Sequence, residues 1–175
     1  MPDRQIGSLR EKDKAARGLV GGGGKIVQIV VGAKGTLVSG TTAIPNDNTI
    51  PQKTEGVELL TQAITPQSAT NRLLIQSTIN VSAGGVSVPS IVALFQDTTA
   101  GALAAGMHNE VQGFSVGNSV VHIVHDMVAG TTSATTFKLR GGTSTSETFY
   151  MNANAGSAAF GGVNSSKIVI MEYIP

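Results

Sequence analysis

Beyond its first two dozen residues, the chain consists of short apolar runs separated by clusters of turn-forming residues. In the run over 71–82, Leu73, Ile75, Ile79 and Val81 alternate with polar side chains, which is the period of a half-buried β-strand. No helical pattern that could connect parallel strands lies between the runs. The sequence therefore predicts an all-β fold, an eight-stranded antiparallel β-sandwich or jelly roll, with strands over 25–32, 57–64, 71–82, 90–97, 119–128, 135–140, 146–151 and 166–174.

Several predicted strands are apolar at consecutive positions, as in residues 91–95 and 168–171. A strand of an antiparallel sandwich usually has one polar face, which meets water. We therefore expect the second face to be buried against neighbouring copies of the same chain around a symmetry axis. The alternative is that loops or the N-terminal segment cover these faces. The side chains expected at the subunit interface are Ile26, Val92, Leu94, Ile168 and Ile170.

The first 24 residues differ from the rest in charge and in apolar content. They hold five basic and three acidic residues, whereas residues 25–175 hold seven basic and eight acidic residues. Ser8 is a candidate cap for a helix over 9–17, which has almost no apolar face with which to dock on its own domain. A run of glycines follows and is typical of a flexible linker. The sequence predicts one domain over 25–175, preceded over 1–24 by a basic arm and a hinge of Gly21, Gly22, Gly23 and Gly24.

Composition excludes several kinds of site and partner. The chain has no cysteine, which excludes disulfides, thiolate metal sites and cysteine nucleophiles. Its formal net charge of +1 gives no general attraction to nucleic acid, and the arm has no aromatic residue for base stacking. No apolar run approaches the roughly 20 residues that span a bilayer, and the N-terminus lacks the apolar core of a signal peptide. We expect neither nucleic acid nor a membrane as a partner.

The glycine run before Lys25 does not meet the requirements of a phosphate-binding loop. Such a loop needs a glycine six residues before the lysine, where this chain has Leu19, and Ser or Thr after it, where Ile26 stands. The acidic residues of the domain are scattered, and the chain has no Trp for sugar stacking. A pair of carboxylates suited to glycoside cleavage is not recognisable. We expect neither an enzyme nor a cofactor.

Two histidines on one predicted strand are candidate metal ligands. His122 and Asp126 share one face of the strand over 119–128, and His125 lies on the opposite face. A threefold axis could gather three copies of His122 or of His125 into a metal-binding ring. The alternative, which we favour, is ordinary hydrogen bonding within the sheet or at its surface, so that the chain holds no metal.

Five segments of the domain share a recognisable pattern of strand openings and turn chemistry, namely KIVQIV (25–30), ITPQSATNRLLI (64–75), ALFQD (93–97), AGTTSATTFKLR (129–140) and FGGVNSSKIVIMEY (160–173). They resemble a jelly-roll domain found in structural proteins of tailed bacteriophages and prophages. The resemblance extends over roughly residues 25–174 and includes no catalytic motif.

The resemblance implies a homotrimer, similar in outline to tumour-necrosis-factor-like or complement-type heads, and it brings no active-site residues. It also implies a virion structural protein on the particle exterior, made in the host cytoplasm. The shortness of the chain favours a capsid decoration or head-fibre protein. In this hypothesis the arm binds a capsid or tail protein of the same particle, with anchor residues Arg4, Arg10, Lys12, Lys14 and Arg17.

The alternative is a tail-fibre or receptor-binding protein. Its distal loops, over 98–118 or 141–165, would then recognise a host surface glycan or a host surface protein. A third hypothesis is an enzyme that cleaves cell-surface polysaccharide, and the scattered carboxylates argue against it.

Overall fold

The computed structural model describes residues 24–85, 87–109, 118–154 and 156–175. Within them the chain is all-β except for one turn of 3-10 helix over Phe160–Gly162. The strands are β1 (Lys25–Lys34), β2 (Val38–Gly40), β3 (Val57–Ile64), β4 (Arg72–Ala83), β5 (Ser90–Gln96), β6 (Ala104–His108), β7 (Ser119–Val128), β8 (Thr135–Thr143), β9 (Phe149–Met151), β10 (Ala153–Asn154), β11 (Ser157–Ala158) and β12 (Ser166–Ile174).

The long strands form two antiparallel sheets that pack face to face. In the first sheet β12 lies between β1 and β4, and β7 pairs with the other side of β4. Beyond the end of β12, β9 pairs with β4 and carries β2. The second sheet has the order β3-β8-β5-β6. Apart from the β5–β6 hairpin, successive long strands alternate between the sheets, as in a jelly roll. The predicted fold class is confirmed.

The inward side chains of both sheets form the core. On β4, Leu73, Ile75, Ile79 and Val81 are buried and Gln76 is exposed, as the alternation predicted. Full burial of one such side chain contributes about 1.5–3 kcal/mol. The core also contains side chains from the other long strands, among them Leu59, Val121, Ile123, Phe137, Leu139, Phe149 and Met151.

Several of the predicted elements and boundaries are wrong. The strand β2 was not predicted, and the strands predicted over 25–32 and 135–140 extend to Lys34 and Thr143. The interval 98–118, expected to be a loop, contains β6, and the strand predicted over 146–151 is shortened to Phe149–Met151. The sequence of β6, AAGMH, has no β-branched or large aromatic residue, so its own preference for a strand is weak. Pairing with β5 over five positions determines its structure instead.

A segment of the chain itself covers part of the second sheet on the side that faces away from the core. The segment over 41–56 crosses this face, and the backbone amide of Ile44 donates a hydrogen bond of 2.9 Å to the carbonyl of Thr143. Ile44 is fully buried and packs with three side chains of β5, namely Ile91, Ala93 and Phe95. For β5 the alternative explanation was therefore correct, because a loop buries its second face.

Four of the five side chains predicted at a subunit interface are core residues. Val92, Leu94, Ile168 and Ile170 have no exposed surface in the single chain. They belong to the inward-facing sets of β5 and β12, so a neighbouring subunit cannot reach them without unfolding the sandwich. Ile26, by contrast, is 52% exposed. On β12 the prediction chose the wrong alternate positions. On β5 neither face is free for a neighbouring subunit, because Ile44 of the same chain packs on the second one.

The two ends of the sandwich carry different parts of the chain. At the proximal end Gly24 enters β1 beside Ile174, and the loop over 65–71 lies nearby. At the distal end the loops over 84–89, 144–148 and 152–165 come together, with Gly84 bonded to Thr148 and Ser144 to Pro89 through the backbone.

Only part of the loops predicted to face a receptor lies at the distal end. Residues 141–165 are there, but residues 98–103 lie near the proximal end, because Asp97 bonds to Thr136 at the start of β8. Residues 110–117 lie outside the described part of the chain.

Candidate interaction surfaces

The side of the first sheet that faces away from the core carries exposed apolar side chains, and we call it the outer face. Ile29 is 52% exposed, Val31 57% and Val124 63%. Strand register places Ile29 opposite Met171 and Val31 opposite Val169. The apolar members of the outer face are Ile26, Ile29 and Val31 on β1, Leu74 on β4, Val120, Val124 and Val128 on β7, and Val169 and Met171 on β12. Along β4, the outward side chains of Arg72, Gln76, Thr78 and Asn80 lie between the apolar side chains of β12 and those of β7, whereas Leu74 is apolar. The solvent-facing side of an antiparallel sheet is normally polar, so exposed apolar groups of this extent indicate an interaction site.

A polar cluster of three side chains lies within the outer face near the proximal end. Arg72 on β4 forms an ion pair of 3.0 Å with Asp126 on β7. The hydroxyl of Tyr173 on β12 donates a hydrogen bond of 3.0 Å to Asp126. Hydrogen bonds from Arg72 and Tyr173 hold the pKa of Asp126 below its usual value, against the effect of its partial burial. The cluster connects three neighbouring strands at a solvent-exposed position, where an ion pair adds little stability by itself.

The two histidines of β7 lie on opposite faces, as alternation predicted. His122 is exposed on the outer face, where its Nδ1 lies 3.2 Å from the hydroxyl of Thr78. His125 belongs to the inward set and is half-buried. Among the described residues no group of three His, Cys, Asp or Glu side chains could hold a metal ion. The less favoured hypothesis of a metal ring from three chains stays untested, and the exposed His122 is the better placed of the two histidines for it.

At the proximal end, the side chain of Glu172 is completely buried on the inward side of β12. Its carboxylate accepts hydrogen bonds from the side chains of Gln28 and Asn71 and from the backbone amides of Gln67 and Ser68. Burial alone would raise the pKa of Glu172, but the hydrogen bonds outweigh it, and the pKa is lowered. Through these hydrogen bonds, Glu172 connects β12 to β1 and to the loop over 65–71.

A second buried polar residue organises the distal end. Asn152 is 1% exposed and has a left-handed backbone, with φ of 59°. Its side-chain amide donates to the carbonyls of Lys34 and Thr36, at 2.6 and 3.2 Å. Its side-chain oxygen accepts a hydrogen bond of 2.8 Å from the hydroxyl of Ser166. Asn152 therefore fixes the distal turns to β1 and β12. Neither Glu172 nor Asn152 was predicted, although a lone Glu in an apolar strand is a recognisable signal.

The distal end also presents the segment Phe160–Val163, which we call the Phe160 loop. Phe160 is 75% exposed and Val163 is 83% exposed. Phe160 has a φ of 53°, and Gly161 and Gly162 have φ of 60° and 90°. A left-handed backbone is costly for a residue with a side chain, about 1–2 kcal/mol. The loop lies close to the turn between β1 and β2. A Cβ added at Gly35 in that turn would collide with the carbonyl oxygen of Gly162.

Two surface clefts contain single carboxylates rather than catalytic pairs. One, of about 390 Å³, lies between β1 and β3, and its Glu58 forms an ion pair of 3.0 Å with Lys138. The other, of about 230 Å³, lies between the segment over 45–51 and β6, and its Asp47 accepts hydrogen bonds from Thr49. These hydrogen bonds lower the pKa of Asp47.

The predicted arm lies mostly outside the described residues. The candidate anchors Arg4, Arg10, Lys12, Lys14 and Arg17, the helix over 9–17 and the hinge residues Gly21, Gly22 and Gly23 all belong to residues 1–23. Gly24 is described, and it packs against the end of β12, where a Cβ would collide with the carbonyl oxygen of Ile174. The assignment of anchor and hinge stays a prediction, with the arm entering at the proximal end.

Comparison with protein-family models found no match, and comparison with curated proteins found none either. Among solved structures, the chain is similar to a TNF protein, Eiger, from S. frugiperda, with 8% identity, 82% of this chain and 92% of that chain covered, and a TM-score of 0.44. It is similar to the C-terminal domain of EclA, a sugar-binding protein, with 19% identity, 68% and 75% coverage, and a TM-score of 0.37.

A third solved structure is the VP2 subviral particle of infectious bursal disease virus, with 13% identity, 86% of this chain and 38% of that chain covered, and a TM-score of 0.39. Similarity at this level extends to the general β architecture alone. Among the described residues, no helix has the length and apolar character needed to cross a membrane.

Proposed function

We propose that the chain is a structural protein of a bacteriophage particle, displayed on the exterior as a homotrimer and attached through its N-terminal arm. The phage assignment depends on the resemblance of the five sequence segments to phage jelly-roll domains. The proposed trimer is supported by the apolar side chains of the outer face, which the single chain leaves exposed.

The outer face is suited to a second copy of the same chain. If roughly 500 Å² of apolar surface per subunit were buried, about 12 kcal/mol of gross stabilisation would follow at about 25 cal/mol/Å². Loss of translational and rotational freedom removes an estimated 4–15 kcal/mol for each association step. In a closed ring each subunit contacts two neighbours, so every subunit contributes buried surface on both sides. The gross stabilisation can then exceed the entropy cost of assembly.

The two ends of the sandwich support the proposed orientation. The arm joins the domain at Gly24, at the proximal end, and the loops around Asn152 and Phe160 lie at the opposite end. A domain attached through its arm would therefore face the capsid with its proximal end and solvent with its distal end. In this proposal the protein binds to the phage particle and reinforces it mechanically, and it catalyses no reaction.

A tail-fibre or receptor-binding protein is the second candidate function. The exposed aromatic side chain of Phe160 at the distal end favours it, because that ring is open to contact with a receptor on the side that would face solvent. The copy number on purified particles separates the two candidates. Many copies on the head indicate decoration, and a few copies on the tail indicate a receptor-binding role.

The trimer is tested by analytical ultracentrifugation of the full chain at micromolar concentration. Val124→Lys places a charge on the outer face at a position that is 63% exposed in the single chain, so the subunit should still fold. We expect the wild type to sediment as a trimer and Val124→Lys to sediment as a folded monomer.

Val163→Lys is the matched control, because Val163 is also exposed but lies at the distal end. It should remain a trimer. A wild type that sediments as a compact monomer, or a Val124→Lys variant that keeps the trimer, would overturn the proposed assembly. Immunogold labelling of phage particles with an antibody to the domain tests the location, and particles without label would overturn the virion assignment.

A further inference from the structure

We propose that the Phe160 loop is a binding site for a neutral saccharide, with the ring of Phe160 stacking against the apolar face of a sugar ring. This inference depends on the proposed function only in that the distal end faces away from the particle. The binding site itself is defined by residues of one subunit.

The aromatic side chain of Phe160 is unusually open to solvent. An aromatic side chain gains more from burial than most others, yet this one is 75% exposed. Its neighbours leave it open, since a Cβ added at Gly161 or at Gly162 would meet no other atom within 4 Å. A sugar ring therefore has room to place its apolar C–H face against the aromatic ring.

The backbone of the Phe160 loop is strained at Phe160. Phe160 adopts a left-handed conformation that disfavours a residue with a side chain, although glycine stands at the next two positions. Such local strain persists when the surroundings determine it, and it concentrates at binding sites. Here the surroundings are the close packing of Gly162 on Gly35 and the hydrogen bonds of Asn152. The loop thus lies against the turn between β1 and β2, which Asn152 holds in place, and such preorganisation lowers the entropy cost of binding.

The local charge determines the class of ligand. Residues 148–166 contain no Asp, Glu, Lys, Arg or His, so this segment offers no ionic contact to a charged partner. Exposed neutral hydrogen-bonding side chains lie elsewhere at the distal end, at Asn154 and Ser157 in the hairpin of β10 and β11 and at Thr36 in the turn between β1 and β2. Amide and hydroxyl groups at the same end as an exposed aromatic ring suit the hydroxyl groups and the apolar C–H face of an uncharged sugar.

The size of the loop favours a sugar over a protein partner. A stable protein interface buries about 800 Å² on each side, which is far more than a four-residue loop can provide. A single sugar ring needs much less area and binds weakly. A trimer that carries three such loops, on particles with several trimers, would gain avidity for a repeating surface polysaccharide.

Saturation-transfer NMR on the full chain tests the proposal with a panel of uncharged oligosaccharides containing glucose, galactose, mannose or N-acetylglucosamine. We expect at least one to receive transfer at roughly 10 mM ligand or less. Phe160→Ala should weaken this binding by about tenfold or more, the value of one aromatic stacking contact. Phe160→Trp should restore it, because a larger ring keeps the stacking surface.

Val163→Ser is the matched control, since it removes apolar surface from the same loop without removing the ring. It should change the affinity by less than about twofold. The proposal is overturned if no member of the panel binds the wild type, or if Phe160→Ala binds as the wild type does. It is also overturned if Phe160→Ala dissociates the oligomer, because the loop would then be a subunit contact. Failure in either of the first two ways leaves the trimer and the virion location standing.

Discussion

The buried carboxylate of Glu172 accepts a hydrogen bond of 2.6 Å from the side-chain amide of Asn71, a residue 101 positions earlier in the chain. The other donors to this carboxylate are also uncharged: a side-chain amide of Gln28 and two backbone amides of the loop over 65–71. A carboxylate can be buried in this way when neutral donors satisfy its oxygens. The packing of the proximal end therefore depends on the ionised side chain of Glu172.

Replacing this residue by its neutral isostere should destabilise the domain. In Glu172→Gln, the new amide group faces backbone amides that also donate, so at least one buried donor loses its acceptor. We expect the free energy of unfolding to fall by about 2–3 kcal/mol, measured by urea denaturation. Glu58→Gln is the control, because Glu58 is exposed and paired at the surface, and it should cost less than about 1 kcal/mol. Equal effects of the two substitutions would contradict the role given to Glu172.

The same carboxylate should make stability depend on acid pH. The pKa of Glu172 in the folded chain is lowered below its ordinary value of 4.5, so its contribution is fully present above pH 4.5. The contribution is lost as the pH falls through the folded pKa. The stability difference between wild type and Glu172→Gln should therefore be constant near neutrality and shrink below about pH 4.5. Thermal unfolding of both proteins across this range measures the difference. One that stays constant down to pH 2 would show that the folded pKa is not coupled to stability.

Neighbouring positions on β12 should respond in opposite ways to the same substitution. Ile170 is completely buried in the core, so Ile170→Lys should unfold the domain, at a cost of about 4 kcal/mol or more. Met171 lies on the outer face, where the aliphatic part of a lysine can cover the sheet while its charge reaches water. Met171→Lys should keep the circular dichroism of the folded chain and lose the trimer in sedimentation. A folded Ile170→Lys variant would show that β12 is registered with the opposite face inward.

Removal of the arm should separate assembly from attachment. Deletion of residues 1–20 takes away all five candidate anchor residues but leaves every described strand in place. We expect a folded trimer that no longer joins particles when phage is produced in cells that supply the truncated chain. Normal incorporation, measured by quantitative immunoblotting of purified particles, would mean that the attachment site lies in the domain.

The sequence was sufficient for the fold class but not for the orientation of the doubly apolar strands. Alternation on β4 was clear because polar residues occupy every outward position near its centre. On β12 the run from Ile168 to Met171 has no such contrast, and its two flanking charges disagree. Lys167 is exposed and indicates the correct phase, whereas Glu172 is buried and indicates the opposite one. A buried carboxylate thus reversed the signal that charge usually gives.

The cover over β5 could not be predicted for a different reason. Ile44 lies between Thr42 and Pro45 in a segment that is otherwise typical of a loop. Nothing in local periodicity shows that one isolated side chain buries the second face of a distant strand. The left-handed conformation of Phe160 was equally hidden, because the left-handed turn begins one residue before the two glycines that adopt it at no cost.

The pairing of Lys25 with Ile174 brings the beginning and the end of the folded domain to the same place. A peptide or reporter protein fused after Pro175 would consequently emerge next to the attachment side, where a particle surface would crowd it. An insertion at Gly156, in the turn between β10 and β11, would instead be carried outward on a support held by Asn152. For use as a display scaffold, the internal turn is therefore the better point of insertion.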